Sequence, residues 1–188
     1  MKPLRFIHIS KTGGQSIAQV AKYQANICWG FFDKEYGKEL KCHRIFSSLP
    51  TDIKNKYDWF TVVRNPYHRA VSHYNWDNTT MEINEYIQYK LTRVEAGVMD
   101  EGAHFTQQYK YLEDGYDIII LHYENLEQDF NNLMIKYNYN IVLDKHFNKS
   151  RKHVGLHNLT LKTIEMINKV YEKDFTTFGY EMVHSVFT

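Results

Sequence analysis

Phe6-Ile7-His8-Ile9-Ser10-Lys11-Thr12-Gly13-Gly14-Gln15-Ser16 decides how the rest of the chain is read. The apolar run Leu4 to Ile9 predicts a short β-strand, and a helical pattern from Gln15 to about Tyr23 follows the glycine pair. Strand, glycine loop, helix is how an α/β protein builds a cradle for a phosphate. Glycines let the backbone come close to an anion, and a helix N-terminus offers N–H groups and the positive end of its dipole. Lys11 adds a full charge, and Thr12 and Ser16 add hydroxyls. A nucleotide-triphosphate loop of the G-x-x-x-x-G-K-[ST] kind needs its lysine after the glycines. Lys11 precedes Gly13 and Gly14, so that loop is not matched.

Working outward, Trp59-Phe60-Thr61-Val62-Val63 predicts a buried strand, aromatic and β-branched. It ends at Arg64. Asn65-Pro66 then predicts a helix start, with Asn as the cap and Pro at the first helical position, over Tyr67 to Asn75. Arg64 at a strand end can hold a phosphate with two hydrogen bonds. Ser72, inside that helix, can add a hydroxyl. Further helices are expected at Ser48 to Pro50 onward (brief), Glu82 to Val94, Phe105 to Leu112, Glu124 to Tyr137 and Thr160 to Tyr171, the last long one, which Asp174 to Tyr180 follows. Strands are expected at Ala25 to Phe32 and Asp117 to Leu121, with Cys42 to Phe46 extended. Alternating strands and helices imply a mainly parallel sheet, with ligands beyond the carboxyl ends of the strands. Lys11 and Arg64 both follow strands, which predicts one shared sheet edge for them.

The bulk properties exclude several classes. A chain of 188 residues suits one domain, 1–188, with a real core. A formal net charge of +1 argues against a general nucleic-acid binder. Two cysteines, Cys28 and Cys42, make no disulfide framework, and free buried thiols are expected. Metal-ligand spacing of His and Cys is missing from the sequence, so no metal is expected. No run approaches the roughly 20 apolar residues of a membrane span. MKPLRFIHIS enters a strand at once, leaving no room for a signal peptide, so a cytoplasmic or otherwise soluble protein is expected.

The arrangement H-I-x-K-T-G-G-x-S closely resembles the 5′-phosphosulfate loop of sulfotransferases, above all the group with the heparan sulfate 2-O- and 6-O-sulfotransferases and other carbohydrate sulfotransferases. Phe60 to Tyr74, FTVVRNPYHRAVSHY, resembles the same families' 3′-phosphate motif V-R-N-P-x-x-R-x-x-S-x-Y. HFTQQYKYL (His104 to Leu112), HYENLEQDF (His122 to Phe130), NKSRK (Asn148 to Lys152) and YEKDFTTFGY (Tyr171 to Tyr180) extend the likeness over nearly the whole chain. Ser10 stands where the family usually has Pro, and Gln15 where Thr is usual. The animal enzymes usually carry a membrane anchor and stem, so the resemblance implies a minimal soluble member from a microbe or virus, or a trimmed piece.

The resemblance implies a three-layer, P-loop-NTPase-like α/β fold. It also implies 3′-phosphoadenosine 5′-phosphosulfate (PAPS) as donor and a hydroxyl, on a carbohydrate or glycoconjugate, as acceptor. Lys11, Thr12, Gly13, Gly14, Gln15 and Ser16 would hold the 5′ end of the nucleotide. Arg64 and Ser72 would hold the 3′-phosphate, with Ser150 and Arg151 of the NKSRK segment assisting. The transfer also needs a base, and histidine titrates near neutrality. Family members carry a basic histidine between the two motifs, which points to His43, with His104 next and a carboxylate such as Glu35 after it. Two other readings remain open on the sequence: a P-loop nucleotide phosphotransferase, and a non-catalytic module that binds PAPS or its product.

Overall fold

Alternation along the strands sets the architecture. In the computed structural model, which describes residues 1–30, 43, 45–98, 104–144 and 154–187, three strands are present among those residues: β1 (Leu4–Ile7), β2 (Asp58–Val63) and β3 (Ile118–His122). They pair in parallel in the order β1-β2-β3. Phe6 lies opposite Phe60, and Phe60 opposite Ile119. Leu4, Phe6, Phe60, Val62 and Leu121 share one face. Against that face pack Ile17, Val20 and Ala21 of α1 (Gly14–Ala25) and Phe130, Leu133 and Met134 of α5 (Leu126–Lys136). Burying each such side chain contributes about 1.5–3 kcal/mol. On the opposite face the Trp59 ring meets Phe46 edge-on at 5.2 Å, and its Nε1–H donates to the Lys54 carbonyl of α2 (Thr51–Lys56) at 2.9 Å. This is the expected α/β class, a parallel sheet flanked by helices.

The chain forms two compact units. The sheet unit comprises Met1–Val63 and Lys110–Asn148. The helical unit comprises Arg64–Tyr109 and Lys149–Thr188. The second unit is built from α3 (Pro66–Trp76), α4 (Ile83–Glu95), α6 (Leu161–Val170) and α7 (Glu172–Phe178). Its core joins Tyr67 and Val71 of α3, Ile87 and Leu91 of α4, Ile164 and Ile167 of α6 and Phe175 of α7. Asn65 caps α3 as its sequence predicts: its Oδ1 accepts from Tyr67 N at 3.0 Å, with Pro66 in the first turn. Thr160 caps α6 in the same way, accepting from Thr163 N.

Two expectations fail for physical reasons. The strand expected from Ala25 to Phe32 is absent over its described part: α1 runs to Ala25 and Asn26 ends it in the left-handed region, φ 54°. What decides the path there is the Trp29 side chain. Its indole donates to the Leu4 carbonyl at 3.3 Å and meets the Phe60 ring at 5.1 Å, so a side chain takes the place of a ladder. The helix expected over Phe105 to Leu112 contracts to a single 3-10 turn, Gln108–Tyr111. The backbone N–H groups of Gln108 and Tyr109 go to a carboxylate instead of to helix carbonyls. Of the segment expected to be extended from Cys42 to Phe46, Ile45 is extended and Phe46 opens a 3-10 turn, Phe46–Ser48, while Cys42 and Arg44 lie outside the described residues. Cys28 is free and half-buried, whereas Cys42 falls outside the described residues. No described helix is long and apolar enough to cross a membrane.

Candidate active site

The loop after β1 is fixed by packing. Gly13 lies in the left-handed region, φ +85°, at the cap position of α1. A Cβ on it would come within 2.7 Å of Leu126 Cδ2 and 3.1 Å of the Tyr123 ring. A Cβ on Gly14 would lie 2.2 Å from His8 Cδ2. Gly14 is therefore required by its close approach to the His8 ring, and Gly13 by its backbone angle. Leu126 and Tyr123 belong to the HYENLEQDF segment, which gives that part of the sequence a role: it presses the glycine turn into shape. Lys11 also takes a positive φ, 64°, a conformation uncommon for a residue with a side chain. No side chain caps α1, which suits a helix whose first-turn N–H groups receive an anion. Thr12 is fully buried and its hydroxyl donates to the Ile9 carbonyl at 2.9 Å. That bond ties the loop to the end of the β1 segment, so the single hydroxyl hydrogen goes to the backbone. Ser16 N donates to the Gly13 carbonyl at 2.9 Å, and Gln15 is exposed at the helix start.

His43 belongs to the same unit and sits beside this loop. Its Nδ1 lies 3.0 Å from the His8 carbonyl oxygen, and its ring meets the His8 ring edge-on at 4.5 Å. A carbonyl only accepts, so Nδ1 carries the hydrogen and the neutral ring has its lone pair on Nε2. His8 itself is buried, stacks on Phe6 at 5.5 Å and covers Gly14. Its role is to hold the loop and His43.

The turn at Arg64 is fixed by polar groups within the helical unit. Gln108 is fully buried and grips the Arg64 backbone from both sides. Its Oε1 accepts from Arg64 N at 2.9 Å and its Nε2 donates to Arg64 O at 2.8 Å. Asp174, also fully buried, fixes Gln108 in turn. Its two oxygens accept from Gln108 N at 2.8 Å and Tyr109 N at 2.9 Å. Burial pushes the Asp174 carboxyl above the usual carboxylate range, while those N–H groups and the Arg69 charge pull it back. Arg69 is buried as well and its Nη2 donates to the His104 carbonyl at 2.9 Å. Ser72 is half-buried on α3. Gln108 and Asp174 support the Arg64 turn, a role the sequence reading did not give them. Their signal was a glutamine ahead of a short turn and an aspartate inside the apolar pattern of YEKDFTTF.

Ser150, Arg151 and Glu35 fall outside the described residues. Among the described residues, no group of three or more His, Cys, Asp or Glu side chains is placed to hold a metal ion.

The sequence pattern that defines the sulfotransferase family matches residues 2–181, which takes in both motifs and nearly all of both units. The chain belongs to the sulfotransferase family. Among curated proteins none matches it significantly.

Proposed function

We propose that the chain transfers a sulfuryl group from PAPS to an acceptor hydroxyl, on a carbohydrate, with 1–188 working as one domain. The observation that carries this reading is the glycine loop. It follows a parallel strand, leads into an uncapped helix, and sets Lys11 at its mouth in a left-handed conformation. Lys11 and the N–H groups of the Thr12 to Ser16 loop take the 5′ phosphosulfate end. Gln15 adds an amide at the helix start. Arg64, its backbone clamped by Gln108, and Ser72 read the 3′-phosphate. Ser150 and Arg151 are assigned to the same nucleotide on sequence alone.

The acceptor oxygen attacks sulfur in line. A new S–O bond forms, the bridging S–O bond to the 5′-phosphate breaks, and 3′-phosphoadenosine 5′-phosphate leaves. The acceptor proton passes to His43 Nε2, the nitrogen given the lone pair by the bond between Nδ1 and the His8 carbonyl. Negative charge builds on the bridging oxygen as the bond breaks. Lys11 and the backbone N–H groups of the loop stabilise that charge. Catalysis of this kind rests on positioning and electrostatics, as in phosphoryl transfer.

The test pairs two measurements. Thermal shift with PAPS, ATP and GTP separately should show stabilisation by PAPS well beyond the other two. Transfer from sulfur-labelled PAPS to a panel of oligosaccharides and small hydroxyl compounds, read by mass spectrometry, should then give a sulfated product. Stabilisation by ATP or GTP alone would favour a phosphotransferase. Tight PAPS binding with no product on any acceptor would favour a binding module.

A further inference from the structure

A buried lysine of the sheet unit has no part in the transfer chemistry above. Lys54 of α2 is 6% exposed, and its ammonium lies 2.5 Å from Glu113 Oε2. The same Nζ donates to the Ser47 carbonyl at 3.3 Å. It stands 5.4 Å from the centre of the Phe46 ring and 5.4 Å from that of the Tyr116 ring. Phe46 is fully buried, with Trp59 edge-on at 5.2 Å and Tyr116 edge-on at 5.1 Å. The Lys54 carbonyl accepts the Trp59 indole N–H. One residue thus ties together three stretches of chain: the turn Phe46–Ser48, the start of β2 and the loop ahead of β3.

Stability alone does not explain a charge in that place. Taking an ammonium out of water is costly, and a buried ion pair often contributes no more than apolar side chains of similar volume. A methionine would pack on the two rings as well as the lysine stem does. What it could not do is donate to the Ser47 carbonyl. That bond and the cation over the Phe46 ring act on the turn that follows His43. The turn is closed by Ser48, whose N–H and hydroxyl both donate to the Ile45 carbonyl, at 3.1 and 2.7 Å. Phe46 lies three residues after His43, and three residues of chain reach at most about 11 Å. The place of Phe46 therefore limits how far His43 can move from the His8 carbonyl that it bonds.

We propose that Lys54 is a positioning residue for His43. Its ammonium, aimed by Glu113, anchors the Phe46–Ser48 turn, and the anchored turn keeps the His43 imidazole on the His8 carbonyl. Nδ1 then stays the protonated nitrogen, and Nε2 stays the one that takes the acceptor proton. The inference rests on the reading of His43 as the transfer base, and it gives the Lys54–Glu113 pair a task that apolar packing could not perform.

The test uses three variants of the full chain. Lys54→Met keeps the packing and removes the donor, and Glu113, 32% exposed, can turn to water. Glu113→Leu strands the ammonium and should lower Tm by about 5–10 °C. Lys54→Met/Glu113→Leu removes both charges and should regain most of that loss. If the pair served the fold alone, turnover would return with stability. Turnover should instead stay about ten-fold low in Lys54→Met and in the double variant, with KM for PAPS unchanged. Long-range proton–nitrogen spectra, with His43 assigned through His43→Gln, should show Nδ1 protonated in the wild type and a mixture of tautomers in both variants. An unchanged His43 spectrum overturns the proposal. Where His43→Ala abolishes turnover, wild-type kcat in the double variant overturns it too, as does a rise in KM for PAPS as large as the fall in kcat. The spectra need neither PAPS nor an acceptor, so the two readings separate. A changed spectrum with full turnover in His43→Ala leaves the positioning standing and removes the base. An unchanged spectrum with turnover lost in His43→Ala does the reverse.

Discussion

The segments after β1 and after β2 are held in different ways. The first is held by shape: two glycines, one with positive φ, pressed between His8, Tyr123 and Leu126. The second is held by a buried polar series, Asp174 to Gln108 to the Arg64 backbone. Shape tolerates no added atom but depends little on charge. A buried polar series tolerates a change of volume poorly too, but fails chiefly when one partner is removed and the other is left unsatisfied. Damage to the glycine loop should therefore appear as overpacking, and damage to the Arg64 turn as lost hydrogen bonds.

The largest expected effect belongs to His43, the proposed base beside the first segment. His43→Ala should lower kcat by about 10²–10⁴-fold while PAPS affinity stays nearly intact. If turnover survives in His43→Ala and is lost in His104→Ala, the base belongs to the helical unit instead. Next comes Lys11→Ala, with transfer reduced about 10²-fold or more in a folded protein, the scale of losing a transition-state donor. Unchanged turnover at saturating PAPS would reduce Lys11 to a solvated charge on a shaped loop.

The supports should cost stability more than chemistry. Gln108→Leu leaves Arg64 N–H and C=O without the partners they have now, and should destabilise by about 1–3 kcal/mol in chemical denaturation. It should also weaken PAPS, because Arg64 loses its fixed backbone. Gly14→Ala should destabilise by about 1–3 kcal/mol through the collision with His8. A neutral result for either would show that its segment is held by something else.

The smallest effect concerns alkaline pH in the sheet unit. Tyr137 donates to Asp58 Oδ2 at 3.0 Å, at the start of β2. Its phenol is pushed up to about 12, by burial first and by Asp58 second. The native state thus keeps a proton that the unfolded chain loses near its ordinary pKa of about 10. The stability it contributes is present below that value and is lost as pH rises toward 12. Tyr137→Phe should remove that part of the alkaline decline. A decline of the same slope in the variant would place its cause elsewhere.

What could be read from the sequence follows the same division. The glycine loop was legible because strand, glycines and helix are contiguous, and the capped start at Asn65-Pro66 for the same reason. The Arg64 support was not, because Gln108 lies 44 residues from Arg64 and 66 from Asp174, and no local pattern spans such gaps. The misread strand at Ala25 to Phe32 has a related origin. Its apolar content was right, but Trp29 is used through its side chain, on Leu4 and Phe60, where periodicity says nothing.

The most direct measurement compares PAPS with adenosine 5′-phosphosulfate, which lacks the 3′-phosphate, on the wild type, Lys11→Ala and Arg64→Ala. A charge-assisted hydrogen bond to phosphate contributes about 1.5–3 kcal/mol. Arg64→Ala should therefore weaken PAPS about ten-fold or more and leave adenosine 5′-phosphosulfate nearly unchanged, whereas Lys11→Ala should affect both alike. Equal loss of both ligands in Arg64→Ala would contradict the assignment of the two segments to the two ends of the nucleotide.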